Sequence, residues 1–253
     1  MSMVEMPEIR PASTVVLLRD SPAGLETLLL KRNDALVFAG GAWVFPGGAL
    51  DPQDVAAATG DITVASRIAA AREAREESGL SPRLEEMVLL SHWTTPVGET
   101  RRYSTWIYAA PLAADTAVVI DGSEIHDARW LCLRQAIHEH EAGELSMLPP
   151  TYFTLLRLAR YASVAQMVAA ERIAPVPDVL PVIGNGGEQR LVMFRGDAGY
   201  DSADASVPGA RHRALLQGRC WQYQYLDVDP AYPPLIAPSA LNTNGAPESI
   251  AAQ

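Results

Sequence analysis

Apolar and polar positions alternate along this chain in runs short enough for strands, and one polar helix interrupts them. Thr14–Arg19 and Glu26–Arg32 read as two strands, and Ser21-Pro22-Ala23-Gly24 between them has the chemistry of a hairpin turn. Asn33–Gly41 is a loop that leads into a short apolar strand, Ala42–Phe45, which Pro46-Gly47-Gly48 breaks. Asp51–Thr63 reads as polar and irregular. Val64–Ser78 is alanine-rich and carries several Arg and Glu, so it predicts a helix, with Gly79-Leu80 as its stop.

Met87–Trp93, Ser104–Ala110 and Ala128–Cys132 are further strands, and Leu133–Ala142 is helical. Leu155, Leu158, Ala159, Val164, Met167 and Val168 repeat at nearly 3.6 residues, which predicts one amphipathic helix over Tyr152–Arg172. Beyond Arg172 proline becomes frequent. Only Leu191–Phe194 and Trp221–Leu226 read there as strands, and Arg211-His212-Arg213 reads as a solvated loop. Residues 1–11 form a flexible N-terminus. Residues 173–238 form a C-terminal extension that packs on the preceding domain or on a partner subunit, and 239–253 read as a disordered tail.

The 253 residues are 48% hydrophobic, enough for a real core. The net charge of −10 and the lack of a basic stripe argue against a nucleic-acid partner. No apolar run approaches a membrane span or a signal peptide. The two cysteines, Cys132 and Cys220, show no metal-ligand spacing. A reduced, cytoplasmic protein is the simplest expectation.

The informative stretch is Arg72-Glu73-Ala74-Arg75-Glu76-Glu77-Ser78-Gly79-Leu80. At ~100° per residue, Glu73, Glu76 and Glu77 fall within roughly 100° of arc on one helical face. Carboxylates so close repel one another. Hard divalent cations with oxygen ligands are a natural compensation, and an exposed charged face is the plainer reading.

Upstream lies Trp43-Val44-Phe45-Pro46-Gly47-Gly48-Ala49-Leu50-Asp51-Pro52-Gln53-Asp54. Together the two pieces resemble the Nudix box, which runs Gly, five residues, Glu, seven residues, then Arg-Glu-apolar-x-Glu-Glu-x-Gly-apolar. Asp54 stands where the family has its first Glu, and Asp51 is an alternative acid there. Residues 55–71 replace the seven-residue gap, so the box is split by an insertion at about 55–64.

The resemblance implies an α/β fold: a Nudix α/β/α sandwich around a mixed β-sheet over residues 12–172, followed by the C-terminal extension. It implies a metal-dependent diphosphatase using Mg²⁺ (or Mn²⁺). Glu73, Glu76 and Glu77, with the backbone carbonyl of Gly48, would hold the metal. Arg72 would orient a glutamate, with Glu76 the first choice. Glu124, in a later loop, would be a ligand or the general base. Arg32, Arg101 and Arg102 are candidates for substrate phosphate, because the guanidinium fork suits it.

Trp93-Thr94-Thr95-Pro96 and Arg101-Arg102-Tyr103-Ser104-Thr105 are similar to segments of the coenzyme A diphosphatase-like branch, although Ser104 replaces an Asp seen there. The partner is therefore a small nucleotide-type substrate: coenzyme A or acyl-CoA, or alternatively ADP-ribose, NADH or a dinucleoside polyphosphate. A non-catalytic nucleotide-binding module is the other class, and a homodimer is compatible with either.

Overall fold

The computed structural model describes residues 7–36, 39–113, 117–120, 122–186 and 189–236. The expected tail at 239–253 lies outside them.

Strands β1 (Ile9–Ser21) and β2 (Gly24–Arg32) form the predicted hairpin, with Ser21 opposite Gly24. They extend into a mixed sheet through β3 (Trp43–Val44), β4 (Gly47–Ala49), β5 (Val88–Thr94), β6 (Arg102–Pro111), β7 (Ile125–Cys132) and β8 (Asp178–Val179). The path is β3-β2-β1-β6-β5-β8, with β4 on β1 and β7 on β2. The β1–β6 and β5–β8 pairs are parallel, and the others are antiparallel.

Both sheet faces are covered, so β1 and β2 are apolar at successive positions. Val15, Leu17, Leu28 and Leu30 pack with Ala70 and Ala74 of helix α2 (Ile62–Ser78). Val16, Leu18 and Leu29 face the opposite core, which contains α3 (Leu133–Glu141), α4 (Pro149–Leu158) and α5 (Val164–Glu171). This is the α/β/α sandwich expected above.

A second, antiparallel sheet contains β9 (Val182–Ile183), β10 (Leu191–Met193), β11 (Arg211–Gln217) and β12 (Cys220–Leu226). Its Val192, Phe194, Ala214, Trp221 and Tyr223 share a core with Tyr152 and Phe153 of α4. The Trp221 backbone N–H donates to His140 Nε2 at 3.0 Å, and the Trp221 indole donates to the Met147 carbonyl at 3.0 Å. Residues 178–236 therefore pack on the chain's own sandwich.

Several expectations need correction. The N-terminal segment is ordered from Ile9, because Ile9–Pro11 pair with Arg102–Ser104. The segment read as irregular contains α1 (Pro52–Ala57), and its turn at Gly60 has φ +90°. Pro46-Gly47-Gly48 leads into a strand rather than ending one. The single helix over 152–172 is two, because Ser163 caps α5 by accepting the Gln166 N–H. Arg211-His212-Arg213 is not a solvated loop: His212 and Arg213 are buried in β11.

Candidate active site

The glycine-bearing strand and the helix glutamates meet at one end of the first sheet. The register pairs Thr14 with Gly47, Ser13 with Gly48 and Ala12 with Ala49. The Val15 N–H donates to the Pro46 carbonyl, and the Leu50 N–H to the Pro11 carbonyl. In an antiparallel ladder these bonds alternate, so Gly48 and Ser13 form the bonded pair between them. The Gly48 carbonyl is thereby committed to Ser13, and the peptide groups of Gly47 point away from β1. This corrects the expectation that Gly48 supplies the backbone ligand, since Gly47 is the glycine whose peptide faces the carboxylates.

The two glycines are needed for different reasons. A Cβ on Gly47 would lie 2.4 Å from the Ser13 carbonyl oxygen, and one on Gly48 would lie 2.4 Å from Glu73 Oε1. Close strand pairing excludes the first side chain. A carboxylate resting on the backbone excludes the second.

Helix α2 begins at Asp61, whose carboxylate accepts the Thr63 and Val64 N–H groups, and stops at Gly79 with φ +74°. Its last turns carry the cluster. Glu77 is buried and accepts the Gly47 N–H at 2.9 Å. Burial pushes its pKa up to about 8. The Gly47 bond and the Arg32 charge oppose that shift, while Glu73 and Glu124 add to it. Burial also raises Glu73, against the lowering pull of Arg72. The pocket is thus short of positive charge where its carboxylates converge.

Arg72 organises the rest. Its Nη1 donates to Glu73 at 2.9 Å and to Glu76 at 3.0 Å, and its Nη2 donates to the Ala49 carbonyl at 3.1 Å and to Asp54 at 3.0 Å. Asp54 also accepts the Asp51 N–H at 2.9 Å and is 3% exposed. Asp51 is exposed and lies 3.9 Å from Arg72. The buried Asp54 therefore fills the position of the first box acid, and the helix α1 built from the split box carries it there.

Glu124 stands at the rim, with Oε2 at 3.7 Å from Arg32 Nη2. Its backbone carbonyl accepts the Asn33 N–H, which ties the Glu124 loop to the end of β2. Arg32 Nε is buried and has no hydrogen-bond partner among the described residues. Arg101 and Arg102 sit where β6 begins. Arg102 is buried with Nε donating to the Thr95 carbonyl at 3.2 Å, and Arg101 is exposed. Register places them level with Ile9, beyond the ion pairs of the carboxylate cluster.

The donors fit a hard divalent cation: they are all oxygen, they converge on a backbone carbonyl, and their mutual repulsion is uncompensated. Among the described residues no three carboxylates already form a cage, because Arg72 engages Glu73 and Glu76. No helix there is long and apolar enough to cross a membrane.

A carboxylate-bearing helix set against a glycine strand at the end of a mixed sheet is the Nudix arrangement. A solved NUDIX hydrolase from Alicyclobacillus acidocaldarius has the same fold, with a TM-score of 0.63, 22% identity, and coverage of 68% of this chain and 100% of that one. The chain belongs to the NUDIX domain family, whose model matches residues 9–149. It is similar to putative nudix hydrolase 7 of Caenorhabditis elegans, 26% identical over 168 residues, which covers 53% of this chain and 55% of that protein. It is also similar to acyl-coenzyme A diphosphatase NUDT19 of Xenopus laevis, 27% identical over 81 residues, 30% of this chain and 21% of that protein. The chain thus spans about half the length of the first relative and about a fifth of the second.

Proposed function

We propose that this protein is a cytoplasmic diphosphatase that uses Mg²⁺ or Mn²⁺ to hydrolyse a nucleoside diphosphate-X compound of the coenzyme A or acyl-CoA type. The observation that carries this reading is Glu77, a buried carboxylate with one backbone donor and two acidic neighbours. Glu73, Glu76 and Glu77 hold the metal with the Gly47 carbonyl. The bound ion screens the diphosphate and acidifies a water. Arg72, anchored by Asp54, fixes Glu73 and Glu76. Glu124 takes the proton of the attacking water. Arg32 brings its unpartnered Nε to a phosphate oxygen, and Arg101 and Arg102 lie further along the same end of the sheet for a more distal phosphate. The similarity to an acyl-coenzyme A diphosphatase supports the substrate class.

The test is a mass-spectrometric screen of diphosphate compounds with Mg²⁺ or Mn²⁺. Phosphopantetheine plus 3′,5′-ADP from coenzyme A supports the proposal. AMP released from ADP-ribose, NADH or a dinucleoside polyphosphate, with coenzyme A left intact, would move the substrate to that class. No cleavage of any diphosphate would leave a nucleotide-binding module.

A further inference from the structure

A second cluster of reactive side chains lies on the face of the first sheet that α2 packs against, away from the box. On β5, His92 and Thr94 point to one side; on β6, Ser104 and Trp106 point to the same side. His92 Nε2 lies 2.8 Å from Ser104 Oγ, and His92 Nδ1 lies 2.8 Å from Asp178 Oδ1. Asp178 comes from β8, which pairs in parallel with β5 and puts Asp178 directly beside His92. Three adjacent strands therefore contribute one serine, one histidine and one aspartate in a line.

The chemistry of the line is fixed by its ends. A carboxylate only accepts, so Nδ1 carries the hydrogen toward Asp178 and Nε2 is left to accept from the Ser104 hydroxyl. The indole of Trp106 holds the imidazole from the side, with ring centroids 4.8 Å apart and planes tilted by 42°. The cluster is open to solvent, since the His92 side chain is 24% exposed and Ser104 is half-buried. Thr94 is the cross-strand partner of Ser104, so a second hydroxyl donor stands beside the first. A nucleophile bonded to a base, and a base bonded to an orienting acid, form the constellation of acyl transfer. It is recognised by geometry rather than by fold.

We propose that Ser104, His92 and Asp178 form a second active site, which hydrolyses esters or thioesters of small acyl groups. Ser104 Oγ adds to the carbonyl carbon while His92 Nε2 takes its proton. The bond to the leaving alcohol or thiol breaks, and His92 returns the proton to that group. Water then attacks the acyl-serine with His92 again as base, releasing the carboxylic acid and restoring Ser104. Thr94 donates to the carbonyl oxygen as charge develops on it. Asp178 is a positioning residue that acts through His92. The step needs no metal and does not depend on the glutamate cluster.

The full-length chain treated with a fluorophosphonate probe tests this, with peptide mapping of the adduct. One adduct on Ser104 is expected. Ser104→Ala should lose it, His92→Ala should form it about a hundredfold more slowly, and Asp178→Asn should be intermediate and shift the pH profile of labelling. Glu77→Gln should label like the wild type, and Ser104→Ala should keep the wild-type diphosphatase rate, which separates the two sites. With p-nitrophenyl acetate, a burst of one nitrophenolate per chain should leave acetyl on Ser104. Absence of a Ser104 adduct on wild-type chain shown to be folded by its melting curve would overturn the proposal. So would a labelling rate unchanged in His92→Ala.

Discussion

Two buried carboxylates in this molecule have opposite surroundings. Asp197, in the loop before β11, accepts from Arg213 Nε at 2.7 Å and Nη2 at 2.6 Å, from the Gly199 N–H at 3.0 Å and from the His212 N–H at 2.9 Å. Burial would raise its pKa, but these donors outweigh burial and hold it below the usual range. Glu77 has one backbone donor and two acidic neighbours, and its pKa goes up to about 8. The first carboxylate is complete within the fold, while the second has capacity for a cation that the fold does not supply. Perturbation of that kind marks functional sites.

Breaking the complete site has the largest expected cost. Arg213→Ala leaves Asp197 buried and uncompensated, and should destabilise the protein by about 3–5 kcal/mol, read by thermal or denaturant unfolding. The diphosphatase rate per folded molecule should stay unchanged, because Arg213 lies in the second sheet. Glu77→Gln should do the reverse. It keeps an acceptor for the Gly47 N–H and the fold, yet lowers kcat by more than the roughly 100-fold that loss of an outer ligand partner costs. A variant that retains its rate refutes the ligand assignment. Asp54→Asn loosens Arg72 without touching the metal donors, and should cost about 10–100-fold in kcat. Asp51→Asn should cost little, because Asp51 is exposed.

The pH dependence of metal-free protein sharpens the same contrast. Folded Glu77 keeps its proton up to about 8, while the unfolded chain releases it near the ordinary value of about 4.3. The folded state binds more protons in that window, so stability falls as pH rises through it. Wild type should therefore lose stability relative to Glu77→Gln between those limits. Asp197 has the opposite sign: its folded pKa is lowered, so its contribution is present above the ordinary Asp value of about 3.9 and is lost as pH falls below it. Equal curves for the two proteins above pH 5 would contradict the account of Glu77. The smallest effect belongs to Arg101→Ala, where loss of an exposed charge should raise KM by about 0.2–1 kcal/mol in substrate binding and leave kcat unchanged.

Much of this was legible in the sequence because it rests on local pattern. The arc of Glu73, Glu76 and Glu77 follows from helical spacing alone, and the β1–β2 hairpin from its turn residues. What the pattern did not show depends on pairing at a distance. Gly47 rather than Gly48 faces the carboxylates because of the ladder phase against Ser13. Asp54 rather than Asp51 holds Arg72 because the inserted segment forms helix α1. Arg213 is buried because Asp197, sixteen residues earlier, neutralises it. His92 looked like an ordinary strand histidine because Ser104 and Asp178 reach it only across paired strands.

A crystal of the wild-type protein soaked in Mn²⁺, with anomalous diffraction measured at the manganese edge, tests the central claim most directly. The account predicts manganese bracketed by the Glu73 and Glu77 carboxylates and the Gly47 backbone, with no peak there in Glu77→Gln. Manganese bound elsewhere, or those side chains turned to solvent with no peak between them, would contradict it.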